Sequence, residues 1–301
     1  MTMNSGPSLD NGFVEHLAAL RAAIDCRLQQ LLPDAGNGTN LVTQAMREST
    51  LAPGKRMRPI LLLLAAEGLG HKGNQALDLG CAVEMVHAAS LVLDDMPCMD
   101  DARLRRGRPT VHLQFGQDVA ILTAVALLSR AFGVVAAIEG LAPEIRTQLV
   151  EVMAEAVGTQ GLVLGQYQDL RDGQKSRDAE QIALTNSLKT GVLFGAIMDM
   201  AWLVGSADEH IRPVLQSFAM ELGQAFQLYD DLQDKCIDNN KDQDKDNGKS
   251  TFVSLFGEQR VTERLRAHLA NAEQHLYQVY GGSPMIGSYM KMIFWNTAIN
   301  R

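Results

Sequence analysis

Two acidic clusters stand out as residues able to do chemistry together: DDMPCMDD at residues 94–101 and DDLQD at 230–234. Each follows a strongly apolar run, and bare carboxylates at the end of a buried helix are costly unless something neutralises them. In the second cluster Asp230 and Asp234 are i and i+4, and Asp231 and Asp234 are i and i+3. All three can therefore share one helix face, with Gln227 one turn earlier. Carboxylates so placed raise one another's pKa, and a divalent cation is the simplest remedy. Oxygen ligands without His or Cys suit Mg²⁺ or Mn²⁺. In the first cluster Asp94 and Asp100 would be about 120° out of register on a straight helix. Pro97 lies between them, so a break there would let Asp100 swing back towards Asp94. His87 is nearly two turns before Asp94 and shares its face.

Basic residues complement these clusters. GKRMRP at 54–59 opens an apolar run, and Arg103, Arg105, Arg106 and Arg108 follow the first acidic cluster. Arg grips phosphate oxygens through a planar fork and Lys as a point charge, so a phosphorylated substrate would meet cationic side chains and Asp-bound metal together. Asp-rich helix ends can also be solvated caps, and neighbouring Arg and Asp can form surface ion pairs. Caps of that kind usually sit at helix N-termini, whereas both clusters follow their helices, where the macrodipole disfavours negative charge.

The elements that must hold these groups read as helices. Ala, Leu, Met and Gln are abundant, β-branched runs are short, and there are 9 Pro residues. Residues 79–95 are apolar almost all round and predict a buried helix. Further helices are expected over 118–138, 141–164, 178–204, 211–234 and 261–280, with a weaker one over 283–299. Breaks are expected at 36–40, 68–73, 107–109 and 172–176, and in the polar stretch 238–249. No Pro- or Ser-rich linker divides the 301 residues, so one all-α domain is expected, with residues 1–12 a flexible N-terminus.

Composition narrows the function classes. A net charge of −8 argues against a general nucleic-acid binder. Four cysteines without CxxC spacing argue against a zinc or disulfide framework and for a reduced, cytoplasmic setting. The polar first residues show no apolar core behind basic ones, so no secretory signal is expected. Residues 119–138 are the most membrane-like stretch. Ser129, Arg130 and Gly133 interrupt it, and it reads as a buried core helix without stable membrane insertion. GKST at 248–251 lacks the upstream Gly of a P-loop, since Gln243 stands there. A calcium loop starting at Asp242 fails at Asn247 and Val253.

The run VHAASLVLDDMPCMDDARLRRGRPTVHLQFG, the earlier GKRMRP, the pair Lys189 and Thr190, and FQLYDDLQD followed by GKST resemble the trans-isoprenyl diphosphate synthases, from about residue 51 to 256. DDMPCMDD, LKTG, GQAFQL and GKST most resemble the bacterial carotenoid-pathway geranylgeranyl diphosphate synthases. The resemblance implies an all-α bundle around a deep central cavity and a homodimer. It also implies Mg²⁺-dependent condensation of isopentenyl diphosphate with an allylic diphosphate (dimethylallyl, geranyl or farnesyl), by ionisation, condensation and elimination. By similarity, Asp94, Asp95, Asp100, Asp230, Asp231 and Asp234 would hold the metal. Arg105, Lys189, Thr190, Gln227, Lys241 and Lys249 would hold the allylic diphosphate. Lys55, Arg58, His87 and Arg106 would bind isopentenyl diphosphate, and the released diphosphate would take the final proton.

Two departures from the family pattern are visible. Four residues separate Asp95 from Asp100, the longer spacing of bacterial members, and Val125 stands where many relatives carry Asp. The small Ala89 and Ser90, on the helix that leads to Asp94, leave room for a long tail, with Met85 and the region of Met153 as candidate floor. In the family, an aromatic near Ala89 stops growth early, so geranylgeranyl diphosphate is the expected product. A farnesyl diphosphate synthase and a non-catalytic partner subunit are the alternatives. A terpene cyclase would carry an Asn/Ser/Glu metal motif where DDLQD stands, and a partner subunit would lack some of the Asp or Arg residues present here.

Overall fold

The computed structural model describes residues 10–36, 40–172, 179–233, 252–282 and 284–298. The chain opens with α1 (Asn11–Leu31), α2 (Leu41–Leu51), α3 (Met57–Gly68) and α4 (Gln75–Asp94). A two-residue-per-strand hairpin follows, β1 (Leu104–Arg105) and β2 (Arg108–Pro109). Then come α5 (Val111–Phe115), α6 (Gln117–Ala136), α7 (Pro143–Val157), α8 (Leu162–Asp172) and α9 (Ala179–Asn186). A π-helical turn (Ser187–Gly191) leads into α10 (Val192–Gly205), and α11 (Ile211–Gln233), α12 (Phe252–Phe256), α13 (Glu258–Tyr280) and α14 (Met285–Ala298) complete the bundle.

The architecture follows from α4. Its residues from Leu79 to Val86, with Ala88, Ala89 and Val92, are buried, so it can only be an interior helix. It packs against α1, α3, α6 and α10, while α11 packs against α10 and α13. The α3–α4 approach is close: a Cβ at Gly80 would lie 3.0 Å from Pro59 Cβ. The N-termini of α1 and α2 are capped by Asp10, which accepts from Gly12 N at 3.2 Å, and by Asn40, which accepts from Thr43 N at 3.1 Å.

The structure corrects several sequence expectations. The helix expected over 141–164 is two, α7 and α8, divided at Gly158 and Gly161, where Gly158 N bonds Ala154 O and Gly161 N bonds Gly158 O. The stretch 178–204 is interrupted by the π turn. Helices α1 and α2 were not anticipated. The stretch 119–138 is a core helix on one face only: Ala120, Thr123, Ala124, Leu127 and Ala131 are buried, whereas Ile121, Leu122 and Val125 are 48–60% exposed. By length and mean hydropathy alone, Gln75–Asp94, Gln117–Ala136 and Glu180–Gly205 could each cross a membrane.

Candidate active site

The first acidic cluster begins where α4 stops. Asp94 closes the helix, and Pro97 prevents its continuation. The chain doubles back through Met99 N to Met96 O and Asp101 N to Met96 O, both 2.9 Å, with Asp101 at φ +49°. Asp100 N bonds Asp94 O at 2.9 Å, so the break returns Asp100 to Asp94 as the helical register alone could not. Burial pushes the Asp94 carboxyl from its ordinary 3.8 to about 6. The charges of Asp100 and Asp95 add to this, while Lys189 and Arg105 oppose it. Asp95 is buried, and its carboxylate takes the fork of Arg105, with Nε at 3.0 Å.

The second cluster is built on the same plan. Asp230 and Asp231 lie in the last turn of α11. Asp231 is buried, and its two oxygens accept from Gln227 Nε2 and from the backbone N of Phe252, each at 3.0 Å. In each Asp pair the second member thus anchors another segment: Asp95 holds the hairpin and Asp231 holds the start of α12. Asp234, Lys241 and Lys249 lie outside the described residues.

The cation pocket begins at the turn before α3. Arg56 is left-handed at φ +48° and buried. Its guanidinium donates to Asp25 Oδ1 (2.8 Å), Glu84 Oε1 (2.8 Å), Thr50 O (2.9 Å) and Ala52 O (3.1 Å). Arg56 thereby fixes Lys55 and Arg58 on either side of it. Lys55, Arg58, His87 and Arg106 line one cavity of about 850 Å³. Arg58 Nη1 lies 3.3 Å from His87 Nε2. Burial, reinforced by Arg58, Arg106, Arg105 and Arg56, holds His87 well below the usual imidazole range, so its Nε2 accepts from Arg58. Arg58 also lies over the Phe194 ring at 5.6 Å, and its buried Nε has no hydrogen-bond partner among the described residues. Burial lowers the Arg58 pKa, and the charges of Glu84 and Asp230 oppose that lowering, which brings the second acidic cluster into the field of this pocket.

Lys189 and Thr190 sit on the π turn, which is clasped by glycines. A Cβ at Gly165 of α8 would lie 2.5 Å from Lys189 N, and one at Gly223 of α11 would lie 2.9 Å from Gly191 Cα. Lys189 Nζ bonds Asp169 Oδ2 at 2.9 Å, and its charge also reaches Asp94. Nearby on α8, Gln166 buries both amide atoms without a partner among the described residues. The sequence reading missed Asp169, Gln166, Arg56 and Glu84. The i, i+3 spacing of Gln166 and Asp169 in GQYQDL was a usable signal, but the helix boundary drawn at 164 hid it.

On α4, Ala89 is fully buried and Ser90 Oγ bonds His87 O at 2.9 Å. Met85 and Met153 are also buried. Among the described residues, no three His, Cys, Asp or Glu side chains gather closely enough to hold a metal. The oxygen donors of Asp94 and Asp100, brought together by the Asp100 N to Asp94 O bond, suit a hard divalent cation in kind, and its charge would relieve the disfavoured charge at Asp94.

Comparison with known proteins agrees with this chemistry. Residues 39–280 match the family described as Polyprenyl synthetase. The chain is 57% identical over 261 residues to a geranylgeranyl diphosphate synthase of Pantoea ananas, covering 85% of each chain. It is 48% identical over 262 residues to one of Pseudescherichia vulneris, covering 86% of this chain and 85% of that one. A geranyltransferase from Helicobacter pylori, solved in complex with magnesium and isoprenyl diphosphate, superposes with a TM-score of 0.85 at 25% identity, covering 96% of this chain and 98% of that one. With the family match spanning most of the chain and an all-α fold shared with a solved relative, the chain belongs to the polyprenyl synthetase family.

Proposed function

We propose that the chain is a trans-prenyltransferase that condenses isopentenyl diphosphate with an allylic diphosphate, its product being geranylgeranyl diphosphate. One observation carries this reading. A single hairpin sends Arg105 to Asp95 and Arg106 into the cavity of Lys55, Arg58 and His87, setting a carboxylate corner against an anion pocket. Two diphosphates of opposite roles need such an arrangement: one is ionised at the carboxylate corner, and the other is held ready beside it.

In this reading Asp94, Asp100 and Asp230, with Asp234, would hold Mg²⁺ (or Mn²⁺), and Gln227 orients Asp231. The bound cation supplies charge stabilisation to the leaving diphosphate. Arg105, Lys189 and Thr190, with Lys241 and Lys249, bind the allylic diphosphate and stabilise charge as it departs. Lys55, Arg58 and Arg106 hold the second diphosphate, and His87 fixes Arg58 beneath it. The apolar bundle excludes water from the cationic carbon. Ala89 and Ser90 leave space for the tail beside α4. The proposed magnesium has support in the Helicobacter pylori complex, and the C20 product in the two synthases of Pantoea ananas and Pseudescherichia vulneris.

We further propose a cytoplasmic homodimer formed through α6, with a second copy covering Ile121, Leu122 and Val125. The apolar character of that exposed stripe supports it. The unpaired Cys26, Cys81 and Cys98 support a reducing compartment. The test of activity is to incubate the purified chain with Mg²⁺, isopentenyl diphosphate and each allylic primer, and to size the prenyl alcohols after dephosphorylation. The reading expects twenty-carbon chains and none in EDTA. Chains ending at fifteen carbons would assign a farnesyl product, and no metal-dependent chain growth would refute the reading.

A further inference from the structure

Helix α1 lies outside every motif that marks the active site, yet it grips the turn that opens the cation pocket at two points. Arg21 Nη2 donates to the carbonyl of Gly54. Asp25, one helical turn on, accepts from Arg56 Nε at 2.8 Å. The same turn is held from its other side by the hairpin: Arg106 Nη1 donates to Pro53 O at 3.3 Å, and a Cβ at Gly54 would lie 2.7 Å from that same nitrogen. Gly54 is thus sandwiched between two guanidinium groups, one from α1 and one from the hairpin. The turn also carries a strain that needs such support, because Arg56 is a non-glycine residue at φ +48°. Arg21 is an exposed side chain that nevertheless lines the same cavity as Lys55, Arg58, His87 and Arg106.

We infer that Arg21 is a positioning residue for the homoallylic substrate: it holds the 53–56 turn in register and extends the cationic lining of the pocket that takes the isopentenyl diphosphate. This rests on the assignment of that pocket made above. Arg21 meets the pocket of Lys55, Arg58, His87 and Arg106 through the Gly54 carbonyl, whereas the charges that act most on Asp94 are those of Lys189, Asp100, Arg105 and Asp95, so its effect should fall on one substrate and not on the other.

The test is a steady-state comparison of Arg21→Gln, Arg21→Lys, Arg58→Gln and the unaltered chain, varying each substrate in turn. Arg27→Gln, which breaks an α1 contact to Asp78 away from the pocket, serves as the structural control. Arg21→Gln is expected to raise the KM for isopentenyl diphosphate about tenfold, the size expected for losing a hydrogen bond to a charged group. The KM for the allylic primer and kcat should stay within about twofold, a split that general loosening of the fold would not give. Arg21→Lys, which keeps the charge without the fork, should recover part of the loss. Equal shifts for both substrates, or none for either, would overturn the inference while a selective Arg58→Gln effect left the pocket assignment standing. If Arg58→Gln itself leaves the isopentenyl diphosphate KM unmoved, the pocket assignment falls, and the inference with it.

Discussion

Asp94 sits at the point where stability and chemistry conflict. Burial holds its carboxyl at about 6 against an ordinary 3.8, so the folded protein binds that proton more tightly than the unfolded chain does. Its contribution to stability is therefore complete below pH 3.8 and is lost as pH rises through about 6. At neutral pH the metal-free protein carries a carboxylate that it would be more stable without. Asp94→Asn removes that charge and is expected to raise metal-free stability at pH 7 by about 1–3 kcal/mol, with little gain at pH 4, while turnover is lost. Urea melts at the two pH values, with activity measured in parallel, check this. Added Mg²⁺ should stabilise the unaltered chain and not the variant. A variant no more stable than the parent at pH 7 would show that Asp94 is not under electrostatic stress.

At the scale of elements, the π turn is set by its neighbours rather than by its own sequence. Gly165 and Gly223 are small because backbone passes within van der Waals reach of each, and the turn between them carries Lys189 and Thr190. Gly165→Ala must displace Lys189 N, so kcat should fall by about 10–100-fold with helical circular dichroism retained, as expected when a positioned group moves by about 1 Å. An unchanged kcat would mean that the turn tolerates movement. Helix α4 bears the second element-scale prediction. Ala89→Phe adds a ring to a fully buried site, at a cost of about 1–3 kcal/mol, and should shorten the product to fifteen carbons or fewer. Chromatography of the prenyl alcohols reads the length, and an unchanged product would put the stop elsewhere. What was legible in the sequence at this scale was whatever repeats locally. The apolar run of α4, the Pro97 break and the Gln227–Asp231 spacing are all short-range signals, and the structure contains each. Pairings such as Lys189 with Asp169 or Arg56 with Glu84 join residues 20 and 28 apart on different elements. Periodicity within one helix carries no information about them, because it is packing that chooses the partner.

For the whole molecule, α6 is the helix whose sequence and surroundings disagree. Its buried face satisfies the core, yet Ile121, Leu122 and Val125 on the opposite face remain exposed and apolar. The sequence reading took residues 119–138 as a buried core helix, and only one face is buried. A second copy seated on this stripe would restore the agreement. Ile121→Asp with Val125→Asp should convert a dimer into a monomer by light-scattering chromatography, since a charge in a desolvated interface is costly. A parent chain that is already monomeric, or a double variant that stays dimeric, would contradict the proposed interface.

In the proposed reaction two carboxylate clusters, one ending α4 and one ending α11, act on a single diphosphate through shared cations. The most direct measurement is anomalous scattering from crystals soaked with Mn²⁺ and an uncleavable allylic thiodiphosphate. Metal peaks are expected at Asp94 with Asp100 and at Asp230, all touching the oxygens of one diphosphate. Metal at only one cluster, or metals that share no diphosphate, would contradict it.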